Sequence, residues 1–138
     1  MASSVSKIDV AEHIVEPNLF GIAVLCAAYS PAGKEWLQEC YAYICENYEW
    51  VKAFCQKELT SLRLMEMESS YLIWVDVSAT GLTDEEFTQR LAQEAGVLVQ
   101  AGTCFGSAGA GYVRINLGTS RARVQEAFHR IKDWLNAL

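Results

Sequence analysis

Two hydrophobic periods divide this sequence, and one kind of element cannot satisfy both. From Lys34 to Leu59 the apolar residues fall at Leu37, Tyr41, Ile44, Tyr48, Val51 and Cys55, in steps of 4, 3, 4, 3 and 4. That spacing predicts a single stripe along a long α-helix, with Glu39, Glu46, Glu49, Lys52 and Lys57 on its solvated side. The period then changes. Leu62-Arg-Leu-Met-Glu-Met alternates, as a half-buried strand does, and Ser69-Ser70 reads as a turn. Tyr71-Leu-Ile-Trp-Val-Asp-Val77 is a nearly continuous β-prone run, the pattern of a central strand.

The remaining elements follow from local signals. Asn18 is a good N-cap for a helix over about 19–29, and Ser30-Pro31-Ala-Gly33 breaks it. Thr83-Asp-Glu-Glu86 is a capping box opening a helix that runs to about Ala95 and closes at Gly96. Val97 to Gln100 reads as a short strand, and Gly111 to Asn116 as another. Ser120 stands where a cap is needed for a last helix with apolar positions Val124, Ala127, Phe128, Ile131, Trp134, Leu135 and Leu138. The order is α-α-β-β-α-β-β-α. It predicts an α/β (α+β) fold in which helices cover a mostly antiparallel sheet. Residues 1–11 read as a loose segment and 12–138 as one domain, a size that supports a real core.

Charge and cysteine usage exclude several function classes. A net charge of −6 with no basic stripe argues against a nucleic-acid partner. The five cysteines, at 26, 40, 45, 55 and 104, form no Cys-x-x-Cys pair, and only His13 and His129 could join them. Zinc-type spacing is therefore absent, and reduced thiols in a cytoplasmic protein are expected. The apolar run Leu19–Tyr29 has 11 residues, too few to span a bilayer. Its flank holds Asp9, Glu12 and Glu16 against Lys7, so a signal peptide's basic n-region is missing. A buried helix is the expected reading.

Chemistry concentrates in Cys104-Phe-Gly-Ser-Ala-Gly-Ala-Gly-Tyr-Val-Arg-Ile-Asn116. Phosphate cradles place their glycines ahead of a helix, whereas these precede a strand, so a nucleotide loop does not fit. Arg114 alternates with Val113 and Ile115 and must face the other way. A guanidinium in such a segment needs a partner or an outlet to solvent. One reading pairs it with Asp76 on the neighbouring apolar strand. The other makes it a planar two-pronged donor for a ligand carboxylate or phosphate. A nucleophilic role for Cys104 would need His129 or His13 beside it.

Five segments recur in this order in one family: Asn18-Leu-Phe-Gly-Ile-Ala; Trp36-Leu followed by Tyr48-Glu-Trp-Val; Ser70-Tyr-Leu-Ile-Trp-Val-Asp76; Gly102-Thr-Cys-Phe-Gly106; and Gly111-Tyr-Val-Arg-Ile-Asn116. Over about residues 12–138 the chain resembles the C-terminal small domain of fold-type I pyridoxal-phosphate enzymes of the class I/II aminotransferase superfamily. The nearest branch is the cystathionine β-lyase and cystalysin group of carbon–sulfur lyases. The resemblance implies that Arg114 pairs with a substrate's α-carboxylate, that Gly102, Phe105 and Gly106 line the same mouth, and that Asn116 belongs to the binding strand. It also implies a dimer, with the segment ending at Pro17-Asn18 near its interface.

This sequence departs from the family at Gln100-Ala101, where Asn-Pro is usual, and at Thr119-Ser120-Arg121, where Cys-Pro-Arg is usual. Lyase, transaminase and neighbouring branches stay open. The family's Schiff-base lysine, pyridine-nitrogen aspartate and phosphate cup lie upstream on a large domain, and Lys7, Lys34, Lys52, Lys57 and Lys132 match none of that context. The chain is therefore expected to act as a domain fragment that contributes the carboxylate-binding arginine. Pyridoxal phosphate would belong to the full-length enzyme and would not be bound covalently here. The alternative is a non-catalytic module that binds amino or oxo acids, or one that self-associates.

Overall fold

Asn18 begins the first helix in the way its side chain allows: its Oδ1 accepts a hydrogen bond from the Gly21 N–H at 2.8 Å. A computed structural model describes residues 18–138. They form two compact units, divided between Cys40 and Tyr41. The expected loose segment at 1–11, Pro17 and His13 lie outside the described residues.

In the first unit α1 spans Leu19–Ala28 and α2 begins at Pro31, running Pro31–Glu58. The second helix thus starts three residues before Lys34. Ser30 explains this: its Oγ donates to the Ala27 carbonyl at 2.7 Å and accepts from the Gly33 N–H at 3.1 Å. It closes one helix and caps the next, and Pro31 is well suited to the first helical position. Gly33 is required by space. A Cβ there would lie 2.4 Å from the Ala28 carbonyl oxygen and 2.5 Å from that of Ala27. Gly33→Ala is expected to push this corner apart at a cost of about 1–3 kcal/mol. Faster amide exchange at Ser30 and Lys34, whose N–H groups bond to the Ala27 and Ser30 carbonyls, would report it.

Within the described residues α1 does not find the burial that its apolar run calls for. Every residue from Leu19 to Ala28 is exposed, with Leu19 at 77%, Phe20 at 81% and nearby Tyr29 at 84%. The helix is apolar all round, so no polar side selects an orientation, and the described residues bury none of it. The α2 stripe shows the same limit. It is buried from Tyr48 through Val51 and Cys55, while Leu37 and Tyr41 stay exposed.

The second unit holds a sheet of β1 (Arg63–Leu64), β2 (Leu72–Asp76), β3 (Gln100–Ala101) and β4 (Tyr112–Asn116). Its order is β1-β2-β4-β3 and every pair is antiparallel. The outer strands are shorter than the alternation predicts. β3 pairs only where Gln100 and Ala101 face Arg114 and Val113. Just before it the chain is still leaving a helix, with Gly96 left-handed at φ 67° and the Val97 N–H reaching back to the Leu91 carbonyl. Beyond Ala101 it turns into short 3₁₀ turns.

Thr83 and Glu86 form the expected capping box on α3 (Asp84–Arg90), whose final turn widens to a π-turn over Leu91–Ala95. The helix α4 spans Arg121–Leu135. Ser120 precedes it in extended geometry, but its side chain makes no capping hydrogen bond, contrary to the expected cap.

The β2–β4 register decides which face is the core. Ile73 opposes Ile115 and Val75 opposes Val113, while Trp74 opposes Arg114. Ile73, Val75 and Val113 join the buried stripes of α2 and α4 with Phe87 and Leu91 in one cluster. Burying a side chain such as Phe87, Phe128 or Leu91 contributes about 1.5–3 kcal/mol. The buried end of α2, together with α3 and α4, therefore packs on one face. Trp74, Gln100, Tyr112 and Arg114 project from the other, by the period of two.

Candidate functional site

Arg114 is half-buried on the sheet's second face. Its Nε and Nη2 both donate to Gln100 Oε1, at 3.1 and 2.6 Å, across the β3–β4 pair. The guanidinium plane lies over the Phe105 ring, 4.1 Å from its centroid, and that ring meets Trp74 edge-on at 5.5 Å. A neutral amide and an aromatic face orient the fork without cancelling its charge. The pairing with Asp76 does not form. Asp76 instead accepts from the Ser78 hydroxyl and N–H and pairs with Arg63 at 3.3 Å. Those partners, the Ser78 hydroxyl foremost, hold its carboxyl below the usual range.

Two clefts flank this face. One of about 280 Å³ is bounded by Arg114, Trp74 and the turn through Glu68, Ser69 and Ser70. The other, of about 370 Å³, is lined by Met65, Trp74, Phe105, Ala108, Gly109 and Tyr112.

The glycine loop is shaped by close approach. A Cβ on Gly102 would sit 2.0 Å from the Gly109 carbonyl oxygen, and one on Gly109 would sit 2.1 Å from that of Gly102. The two backbones touch and close the loop on itself, lifting Phe105 over Arg114. Gly106, at φ 114°, makes the turn beyond Phe105.

Asp84, 3% exposed, ties the loop down. Its Oδ2 accepts from the Thr103 N–H at 3.0 Å and hydroxyl at 2.8 Å, and its Oδ1 accepts from the Gly111 N–H at 3.2 Å. Burial works to raise this carboxyl's pKa, but the donors from Thr103 and Gly111 outweigh it and keep the pKa below the ordinary value.

Of the residues picked out in the sequence, Arg114 and Phe105 are in contact, and Gly102 and Gly106 build the loop that holds Phe105. Asn116 ends the strand, and its Oδ1 accepts from the Gly118 N–H at 2.7 Å. Cys104 is exposed, while His129 packs against Phe54 and Trp50 at 4.8 and 6.1 Å.

Sequence reasoning missed Asp84, whose position inside the capping box already accounted for an acidic residue. It also missed Asn47, a fully buried amide. Asn47 Nδ2 donates to the Leu117 and Thr119 carbonyls at 3.0 Å each, and its Oδ1 accepts from Arg121 Nε at 2.6 Å. That network fixes the turn between β4 and α4. Among the described residues no cluster of His, Cys, Asp or Glu has the makings of a metal site. No helix there is long and apolar enough to cross a membrane.

The family aminotransferase class I and II matches residues 10–131. The chain belongs to that family. Within it, cystathionine β-lyase PatB of Bacillus subtilis is 41% identical over 119 residues, 86% of this chain and 30% of that protein. A pyridoxal-phosphate-bound aminotransferase structure from Clostridium difficile superposes with a TM-score of 0.87 at 34% identity, over 95% of this chain and 34% of its own. The pyridoxal-phosphate-bound C–S lyase of Staphylococcus hominis gives 0.83 at 27% identity, over 96% and 35%. This aminotransferase-family chain thus spans about a third of the length of the relatives it matches.

Enzymes that use pyridoxal phosphate hold it through a lysine imine. Among the described residues Lys52 is paired with Glu66 at 3.2 Å, and Lys57 and Lys132 with Glu58 at 3.2 and 2.6 Å. Neither cleft beside Arg114 is lined by a lysine.

Proposed function

We propose that this chain is the acid-gripping C-terminal domain, over 12–138, of a pyridoxal-phosphate-dependent aminotransferase or carbon–sulfur lyase, with Arg114 taking the substrate's α-carboxylate. One observation supports this above the others: a half-buried guanidinium on the uncovered sheet face is oriented by the neutral Gln100 and Phe105, with no acid among its described contacts. Such a fork keeps its full charge and further N–H groups for an incoming carboxylate. It acts by positioning, because fixing the acid end of an amino acid fixes the direction of the bonds at its α-carbon.

Gly102, Gly106 and Phe105 shape the mouth, and Asn116 helps end the strand that presents the fork. The amine that captures the cofactor, in this reading, comes from the enzyme's large domain, and the assembled enzyme is a homo-oligomer. The resemblance of the matched segments to PatB and to the C–S lyases favours this over a free-standing module.

The Arg114 Nε–H resonance of the isolated chain should shift on titration with an amino acid at up to roughly 100 mM, where even a ligand held by about 1–2 kcal/mol registers. Arg114→Ala should abolish the accompanying shifts at Phe105 and Gly106. No movement of the Nε–H signal over that range would overturn the assignment.

A further inference from the structure

Trp74 walls both clefts beside Arg114, and it stands directly across from Arg114 in the β2–β4 register. Phe105 separates the two. Its face lies on the guanidinium at 4.1 Å and its edge approaches Trp74 at 5.5 Å. Tyr112 is on the same strand two positions before Arg114, so it shares that face about 7 Å away along the strand. Arg114 itself lines the smaller cleft, together with Glu66 and Glu68, and the apolar cleft of about 370 Å³ adjoins it through Phe105, which lines that cleft and lies against the guanidinium. Met65, Ala108 and Gly109 complete the apolar cleft's lining, which includes no charged side chain.

We infer that this face selects acids carrying a flat apolar side chain, with the carboxylate on Arg114 and the ring in the cleft between Trp74, Phe105 and Tyr112. The inference rests on the reading of Arg114 as a carboxylate fork, and it names the substrate class that fork receives. Three aromatic walls favour a ring over a branched chain, because stacked and edge-on contacts add to area burial. An acidic side chain would enter a cleft whose lining holds no cation to pair with it and would be disfavoured. The guanidinium supplies charge complementarity that a purely apolar ligand cannot use.

The experiment follows the Arg114 Nε–H and Trp74 indole N–H resonances of the whole chain during titration with phenylpropionate, acetate and phenylpropanol. Phenylpropionate should move both signals and bind roughly tenfold more tightly than acetate, as partial burial of one ring predicts. Phenylpropanol should bind at least as weakly as acetate. Arg114→Ala should remove the phenylpropionate response. Ala108→Leu, an exposed position whose larger side chain fills the cleft, should erase the tenfold advantage and leave acetate binding unchanged.

Equal affinity for acetate and phenylpropionate, with the Nε–H signal responding to both, would overturn the selectivity and leave the carboxylate fork standing. Silence of the Nε–H signal with every acid would overturn both. Phenylpropanol binding as tightly as phenylpropionate would separate the cleft from the fork, and so overturn the inference.

Discussion

Asp84→Ala should lower the stability of this chain by about 2–4 kcal/mol and release the glycine loop. The carboxylate receives three donors, the Thr103 N–H, the Thr103 hydroxyl and the Gly111 N–H, of which the hydroxyl also reaches Glu85 Oε1 at 3.2 Å. Hydrogen bonds to a charged group contribute about 1.5–3 kcal/mol each, and partial exposure of this loop reduces their sum. Thermal unfolding should move down by roughly 10 °C. Amide exchange should accelerate at Thr103 and Gly111, the two ends of the loop. Asp84→Asn should recover only part of the loss, because an amide offers one oxygen to donors that now address two.

The pH dependence has a definite sign. The Asp84 pKa is lowered in the folded chain, so its contribution is fully present above the unfolded carboxylate value of about 3.9 and is lost as pH falls through the folded value. Acid should therefore loosen the loop, and Asp84→Ala should remove that part of the acid sensitivity. Unchanged exchange at Thr103 and Gly111 in the variant would show that the loop holds itself.

What the sequence reveals and what it conceals separate along a physical line. The Tyr48, Val51 and Cys55 stripe, the Tyr71–Val77 run and the Thr83–Glu86 box depend on residues within a turn or two of one another, and all three are found as read. The orientation of Arg114 was legible for the same reason: alternation along one strand puts it opposite Val113. Its partner was not. Gln100 reaches it only because β3 and β4 pair at that position, a register that a two-residue strand does not announce. Asn47 and Leu117 are 70 residues apart, and nothing in either segment signals the other. The exposure of α1 shows a related limit. Apolar composition states a demand for burial but not whether the described residues meet it. Gly33 and Ser30 were legible as a break and not as the start of a helix, because the capping geometry that restarts the chain at Pro31 depends on the end of α1.

Gly102→Ala should be the most damaging single methyl on this face. A loop with four glycines between 102 and 111 invites an explanation by flexibility, but at Gly102 the backbone is not in the left-handed region and the constraint is contact. The added Cβ would meet the Gly109 carbonyl oxygen at 2.0 Å and the Tyr112 carbonyl oxygen at 2.7 Å. Both obstacles are backbone, so no side chain can swing aside, and relief requires the loop to open or β4 to shift. Overpacking of this kind costs at least about 3 kcal/mol where nothing yields. Either response carries Phe105 away from the Arg114 guanidinium and leaves the fork held by Gln100 alone. Gly106→Ala is the control. At φ 114° it strains the backbone by roughly 1–3 kcal/mol but meets nothing within 4 Å. Gly102→Ala should thus lose the ring-current shift that Phe105 imposes on the Arg114 Nε–H, while Gly106→Ala, though destabilised, keeps it. Equal retention in both variants would mean that the Gly102–Gly109 contact does not position Phe105, and that the ring is placed by Trp74 and Arg114 themselves.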